Sequence, residues 1–342
     1  MKLSRSLPLL SLAIAASTSA ADWPEGVKEI RHLSSIDGST QPAMFYSPST
    51  GETPAPLLVG LHTWSGDYTQ AANGSAYARW CMDQGWAFIY PNFRGVNRTP
   101  EAMGSDLAVQ DIVDAVAWAK ENANVDETRI YLIGVSGGGH MSLLMAGRHP
   151  EIWAGVSAWC GISDIAAWHT EHIKNGKPDK YGSMMEAALG GSPKESQSAM
   201  KEAQRRSPLH WLQNAPAVPL DINHGIHDGR AGSVPFRHSL FAFNQVVGSQ
   251  ESIPDSEIGE FYETQKIPVG APAFEPDALF AEKPVLYRKV SGNTRVTLFE
   301  GGHEMIYLAG LNWLAAQRKG SDAVWRITHP VDIPLGDGAS GK

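Results

Sequence analysis

The stretch RIYLIGVSGGGH, residues 129–140, constrains this chain more than any other. An apolar run goes straight into three consecutive glycines, with Ser136 at the join. The pattern is a strand that ends, a sharp reversal, and a helix that begins. A residue at such an apex is forced into a strained backbone conformation, and its side chain projects above the sheet edge. Gly134 and Gly138 flank Ser136 as G-x-S-x-G. A β-carbon at either would collide with the neighbouring strand or helix, so the glycines are the steric condition for the turn. The helix N-terminus behind the apex also aims backbone N–H groups at any anion that forms there. The chain has 34 glycines but one copy of this pattern, placed between strand and helix. Ser136 is therefore a candidate nucleophile.

The chain around it alternates strands and helices. VKEIRHLSSIDGSTQPAMFYS (27–47) predicts an antiparallel pair about the DGS turn. APLLVGLH (55–62), WAFIYPN (86–92), RIYLIGVS, WAGVSAWC (153–160), AVPLDINHG (217–225) and TRVTLFE (294–300) read as strands. Helical stretches separate them. One is SDLAVQDIVDAVAWAKENAN (105–124), capped by Ser105 or Asp106, with Leu107, Ile112, Val113 and Val116 on its apolar face. This order predicts an α/β fold with a mostly parallel sheet covered on both faces. Residues 22–342 read as one domain, with polar, Pro- and Gly-bearing insertions at 161–216 and 249–291 that overhang the site.

A serine hydroxyl needs a base, and the base needs a carboxylate behind it. In this strand order the acid and the histidine come later, each just past a strand. DINHGIHDGRAGSVP places Asp228 there, and VTLFEGGHEM places His303 there. The predicted triad is Ser136, Asp228 and His303. Among the other histidines, His140 reads as core packing one helical turn from Ser136, and His62 belongs to another loop. His224 and His227 read as shaping the acid's loop. Asp221 faces the core from within a strand. The oxyanion donors are expected from the backbone of Gly137 and, in the loop HTWSGDY, of Trp64.

Composition excludes some functions. The net charge of −8 argues against nucleic acid or an anionic membrane surface as partner. MKLSRSLPLLSLAIAASTSA has the layout of a cleaved export signal, so residues 1–21 are expected to be removed and the mature chain to be secreted or periplasmic. Its apolar run is too short to span a bilayer, and no later stretch is long enough. Cys81 and Cys160 would pair only if their backbones come within reach; two buried free thiols are the alternative. No metal-ligand spacing occurs, and the chemistry requires no metal or cofactor.

With these residues in place, the chain resembles the α/β-hydrolase superfamily, and within it the prolyl oligopeptidase catalytic domain. GVSGGG at the elbow and HGIHDGRAGSVPFRHS at the acid loop carry the resemblance; YPNFRG and RRSPLHW echo it. The resemblance spans roughly residues 55–315 and also places the acid on Asp228. No propeller is expected ahead of the hydrolase unit, and HTWSGD lacks the glycine pair usual after His62. The resemblance implies an acyl-transfer enzyme whose partner is an ester- or amide-bearing substrate. Exported units of this look are often esterases of acylated polysaccharide, of acetyl or feruloyl type. A peptidase with the same triad, or an inactive glycan-binding frame, are the alternatives. Trp64, Trp159 and Trp168 offer aromatic faces suited to sugar or feruloyl rings, or else pack the insertions onto the core. Arg94, with Arg98, offers a charge for a uronate or peptide carboxylate, or else a structural ion pair.

Overall fold

The computed structural model describes residues 22–48 and 53–333. The expected export signal, 1–21, lies outside them. Eleven strands occur among the described residues: β1 (Lys28–Leu33), β2 (Thr40–Tyr46), β3 (Ala55–Leu61), β4 (Ala87–Pro91), β5 (Val125–Val135), β6 (Gly155–Trp159), β7 (Ile173–Lys174), β8 (Lys177–Pro178), β9 (Leu220–Gly225), β10 (Val285–Ser291) and β11 (Thr294–Phe299). Nine form one sheet in the order β1-β2-β4-β3-β5-β6-β9-β11-β10, while β7 and β8 pair with each other. The run from β4 to β11 is parallel; β1, β2 and β10 join antiparallel.

The apolar runs became central strands because both their faces are covered. Along β3, Leu57, Val59 and Leu61 face one layer and Leu58 the other. Along β5, Ile130 and Leu132 face the first layer, and Tyr131, Ile133 and Val135 the second. Each fully buried side chain of this size contributes about 1.5–3 kcal/mol. The first layer holds α2 (Asp106–Asn122), α3 (Gly137–Arg148) and α7 (Arg237–Val247). The second holds α1 (Ala71–Gln84) and α9 (Tyr307–Ala316). Ser105 caps α2, accepting the Ala108 N–H at 3.1 Å. Gly85 closes α1 at φ 67°.

The first insertion forms a cap. Its helices are α4 (Ile165–Glu171), α5 (Lys180–Leu189) and α6 (Gln197–Arg205), which share an apolar cluster of their own with Trp64 and Val234. The tail of that segment differs from expectation. Residues 208–214 form two short 3-10 turns, and buried Leu212 joins the main core beside α3. In the second insertion, α8 (Asp255–Thr264) packs Ile258 and Phe261 into the same core. Its last residues form β10, an edge strand of the main sheet. The sequence hid β10 because an edge strand is half solvated: VLYRKVS interrupts its apolar residues with Arg288 and Lys289.

Arg94 is corrected from a substrate contact to a clamp. Its Nε and Nη2 donate to Asp111 at 2.6 and 3.0 Å. Nη1 reaches Asp37 at 2.7 Å, and Nη2 reaches the Ser34 hydroxyl at 3.0 Å. The guanidinium thus ties the β1–β2 turn to α2. Asp111 has no exposed surface, so its charge depends on this partner. Arg94→Ala is expected to destabilise the protein by about 3–5 kcal/mol, read by chemical denaturation, because it strands a buried carboxylate. A loss below about 1 kcal/mol would contradict the clamp.

Candidate active site

The elbow is held by backbone contacts. Ser136 sits at φ 61°, ψ −119°, a region that non-glycine residues rarely enter. Its N–H donates to the Trp159 carbonyl at 2.9 Å, and its carbonyl accepts the His140 N–H at 2.8 Å. A β-carbon on Gly134 would lie 2.5 Å from the Gly138 backbone, and one on Gly138 2.6 Å from the Leu61 carbonyl. Strand and helix therefore cross at a distance that no larger residue permits.

Gly137 opens α3, where the first N–H groups have no helical carbonyl to bond. A β-carbon there would sit 2.3 Å from the Trp64 backbone nitrogen. The backbones of the two expected oxyanion donors are thus neighbours. The loop that carries Trp64 is fixed from several sides. Thr63 N–H donates to Gln70 at 2.9 Å, and His62 stacks on Phe93 at 3.8 Å. The Trp64 indole is 1% exposed, packed edge-on against Trp168 at 4.6 Å.

Asp228 lies just past β9, and His303 just past β11. His303 Nδ1 donates to Asp228 Oδ2 at 2.5 Å. The same oxygen faces His224 Nε2 at 3.0 Å. That nitrogen also faces the Val234 carbonyl at 3.0 Å, so with two acceptors before it Nε2 carries the proton. His224 Nδ1 then accepts from the Ser239 hydroxyl at 2.7 Å. Asp228 Oδ1 accepts the N–H groups of Gly229 and Val234 at 2.8 and 3.1 Å. Burial of Asp228 pushes its pKa up, but the hydrogen bonds from His224 and His303 outweigh this and hold it well below the usual carboxylate range. The sequence marks His224 as a loop-shaping residue; its donation to the carboxylate was not legible from spacing alone. His140 packs internally, its Nε2 on the Arg206 carbonyl at 2.8 Å, and burial lowers its pKa to about 4.

Ser136, His303, Thr63 and Trp64 line one cavity of about 250 Å³. Asn73 and Tyr307 add a hydrogen-bonded pair, Oη to Oδ1 at 2.5 Å, and Tyr181 closes it from the cap. Trp159, Trp168 and Arg94 do not line it. Trp159 is the last residue of β6 and falls on the second-layer face, where its ring stacks on Phe280 at 6.0 Å. Trp168 donates its indole N–H to the Ser233 carbonyl at 2.8 Å and binds the cap to the body. The expected aromatic substrate surface is therefore replaced by packing at these two positions. Cys81 and Cys160 are free and buried. Burial, then the charge of Asp228, pushes the Cys160 thiol well up, so it rests protonated and is no nucleophile.

A profile of the prolyl oligopeptidase family matches residues 73–253, more than half of the chain. The chain belongs to the prolyl oligopeptidase family. It shares regions with proteins of differing names. Feruloyl esterase B of Thermothelomyces thermophilus is 25% identical over 162 residues, 45% of this chain and 54% of that protein. Acetylxylan esterase A of Emericella nidulans is 25% identical over 183 residues, 51% and 53% of the two chains. Dipeptidyl aminopeptidase BIII of Pseudoxanthomonas mexicana is 23% identical over 222 residues, 61% and 31%. This chain spans about half or less of the length of these relatives. Among solved structures, Pyrococcus horikoshii acylaminoacyl peptidase superposes with a TM-score of 0.57 at 16% identity, over 88% of this chain and 43% of that one. That likeness shows the α/β-hydrolase fold.

The lowered pKa of Asp228 has a stability consequence. Its folded value lies below the unfolded value of about 3.9, so the ionised carboxylate stabilises the fold above that pH. The contribution disappears as pH falls through the folded value. Asp228→Asn is expected to be less stable than wild type near neutrality, with the gap narrowing below about pH 4. Denaturant midpoints of both proteins across that range check it; a gap that widens on acidification would contradict the assignment.

Proposed function

We propose that this chain is a serine hydrolase with Ser136 as nucleophile, His303 as base and Asp228 as the acid that holds the base. The observation that carries this reading is the His303–Asp228 hydrogen bond of 2.5 Å, whose imidazole lines the same cavity as the elbow serine. With Nδ1 protonated toward the carboxylate, Nε2 is left with a lone pair for the serine proton. Ser136 Oγ attacks the ester carbonyl as His303 takes its proton. Asp228, already ionised, stabilises the imidazolium. The oxyanion develops against the backbone N–H groups of Gly137 and Trp64. Collapse breaks the ester C–O bond, and His303 returns the proton to the departing alcohol. Water then repeats the sequence on the acyl-Ser136 and releases the carboxylic acid.

The substrate class we propose is acylated carbohydrate, of acetyl or feruloyl type. Two observations support it. Regions of this chain are similar to a feruloyl esterase and an acetylxylan esterase. The cavity wall also presents Asn73, Tyr181 and Tyr307 beside Ser136, groups suited to hydroxyls. The layout of residues 1–21 supports export, which would bring the enzyme to such substrates outside the cytoplasm. Peptide hydrolysis by the same triad is the second reading, favoured by the likeness to a dipeptidyl aminopeptidase.

Three substrates separate these readings: an acetylated xylan, a feruloylated sugar and a proline-containing peptide. One or both esters are expected to be hydrolysed well above the peptide. Ser136→Ala is expected to lower kcat by about a million-fold, as losing the nucleophile does in other triads. A fluorophosphonate probe should label Ser136 in the folded protein. Preference for the peptide would overturn the esterase reading, and absence of labelling would overturn the hydrolase reading itself.

A further inference from the structure

Cys160 is a buried free thiol that the mechanism leaves unused. It follows β6 directly and sits at φ 46°, in left-handed backbone. Its N–H donates to the Asn223 carbonyl at 2.8 Å. This conformation turns Sγ toward the space behind the acid–base pair. Sγ lies 3.3 Å from the Glu304 carbonyl oxygen and 3.8 Å from that of Gly302. One ligand atom each from Cys160, Asp228 and His303 lie within 4.8 Å of one another. A thiol, a carboxylate and an imidazole thus converge beside two carbonyl oxygens.

We propose that Cys160, Asp228 and His303 form an inhibitory site for a soft or borderline divalent cation such as Zn²⁺ or Cd²⁺. The donor set decides the class of ion. Thiolate with imidazole and carboxylate suits zinc and cadmium, whereas magnesium takes oxygen ligands. Zinc–ligand bonds of about 2.0–2.3 Å separate ligand atoms by about 3–4 Å. The sulfur therefore draws in by about 1 Å, and the His303–Asp228 hydrogen bond opens by about as much. The ion binds Sγ, an Asp228 oxygen and His303 Nδ1. It displaces the thiol proton to solvent and shifts the imidazole's single proton from Nδ1 to Nε2, and no electrons are transferred. His303 lines the cavity and is 24% exposed, so the ion enters past that ring.

The inhibitory consequence rests on the hydrolase reading above. An ion on Nδ1 takes the acid and the base at once. The carboxylate no longer stabilises the imidazolium, and Nε2, now carrying the ring's proton, has no lone pair for the serine. Binding itself does not rest on that reading, and its test has a readout separate from activity.

The whole chain is titrated with cadmium chloride. The ultraviolet cadmium–thiolate absorption band reports binding, and hydrolysis of the best ester is followed in parallel. Wild type is expected to give a band that saturates at one ion per chain. The rate should fall about tenfold or more with the same midpoint, recover with EDTA, and stay unchanged with magnesium. Cys160→Ser should lose the band, and its inhibition midpoint should rise about tenfold or more relative to its own metal-free rate. Cys81→Ser leaves Cys160 as the single thiol and should keep both responses, which assigns the sulfur even if Cys160→Ser does not fold. No saturable band in wild type would overturn the site, as would a band abolished by Cys81→Ser. A band lost with Cys160 in a protein that hydrolyses none of the three substrates would uphold the site and overturn the hydrolase reading.

Discussion

Backbone-to-backbone contact at the elbow is the constraint on which the rest of this structure depends. β3, β5, β6 and α3 meet there without side chains between them. Beyond the Gly134–Gly138 crossing, a β-carbon on Gly139 would come within 2.3 Å of the Trp159 carbonyl. Packing this tight leaves Ser136 no alternative conformation, so its positive φ is imposed by its neighbours and not by its own chemistry. The same closeness brings the Trp64 backbone against Gly137. One steric condition thus orients the serine and sets its flanking amides side by side.

Much of this was legible in the sequence, and the reasons are physical. The central strands are covered on both faces, so they appear as continuous apolar runs, and the elbow is marked by residues that sterics alone would select. Asp228 and His303 follow from chain order, since each stands where a parallel strand delivers the chain to the same sheet edge. What escaped depends on which way a side chain turns. Trp159 stands at that edge, but the two-residue alternation of β6 sends its ring to the second layer with Ser157, whose hydroxyl accepts the indole N–H at 2.8 Å. Arg94 follows a strand as a binding residue would, yet two carboxylates and a hydroxyl wait for it in segments distant in sequence. β10 was missed because an edge strand lacks the pattern that identifies a buried one.

The cap and the oxyanion loop are joined by a shared aromatic contact. Trp64 comes from the loop after β3, and Trp168 from α4; each is buried largely by the other and by the cluster around them. Trp168 and His172 both reach the Ser233 carbonyl, on the loop that follows Asp228. Glu171 faces His238 at 3.2 Å and pairs with Arg237, both on α7. These anchors of the cap therefore end on the oxyanion loop, on the loop after Asp228 and on the helix that follows that loop. A cap held this way supports the site as well as covering it.

On the proposed function, substrate choice falls to other parts of the chain. Of the groups that wall the cavity, Asn73 belongs to the first turn of α1, Tyr181 to the first turn of α5, and Tyr307 opens α9. None of these helices supplies the elbow, the acid or the imidazole. The proposed acyl-transfer machinery is fixed by strand ends and by contacts that tolerate no added atom. The wall is contributed by helix starts that lie outside the sheet. Ester and amide substrates make the same demand on the first part and different demands on the second. On the proposed function a chain divided in this way keeps its triad while the wall varies, so the identity of the substrate is sought at positions 73, 181 and 307 and not at the serine.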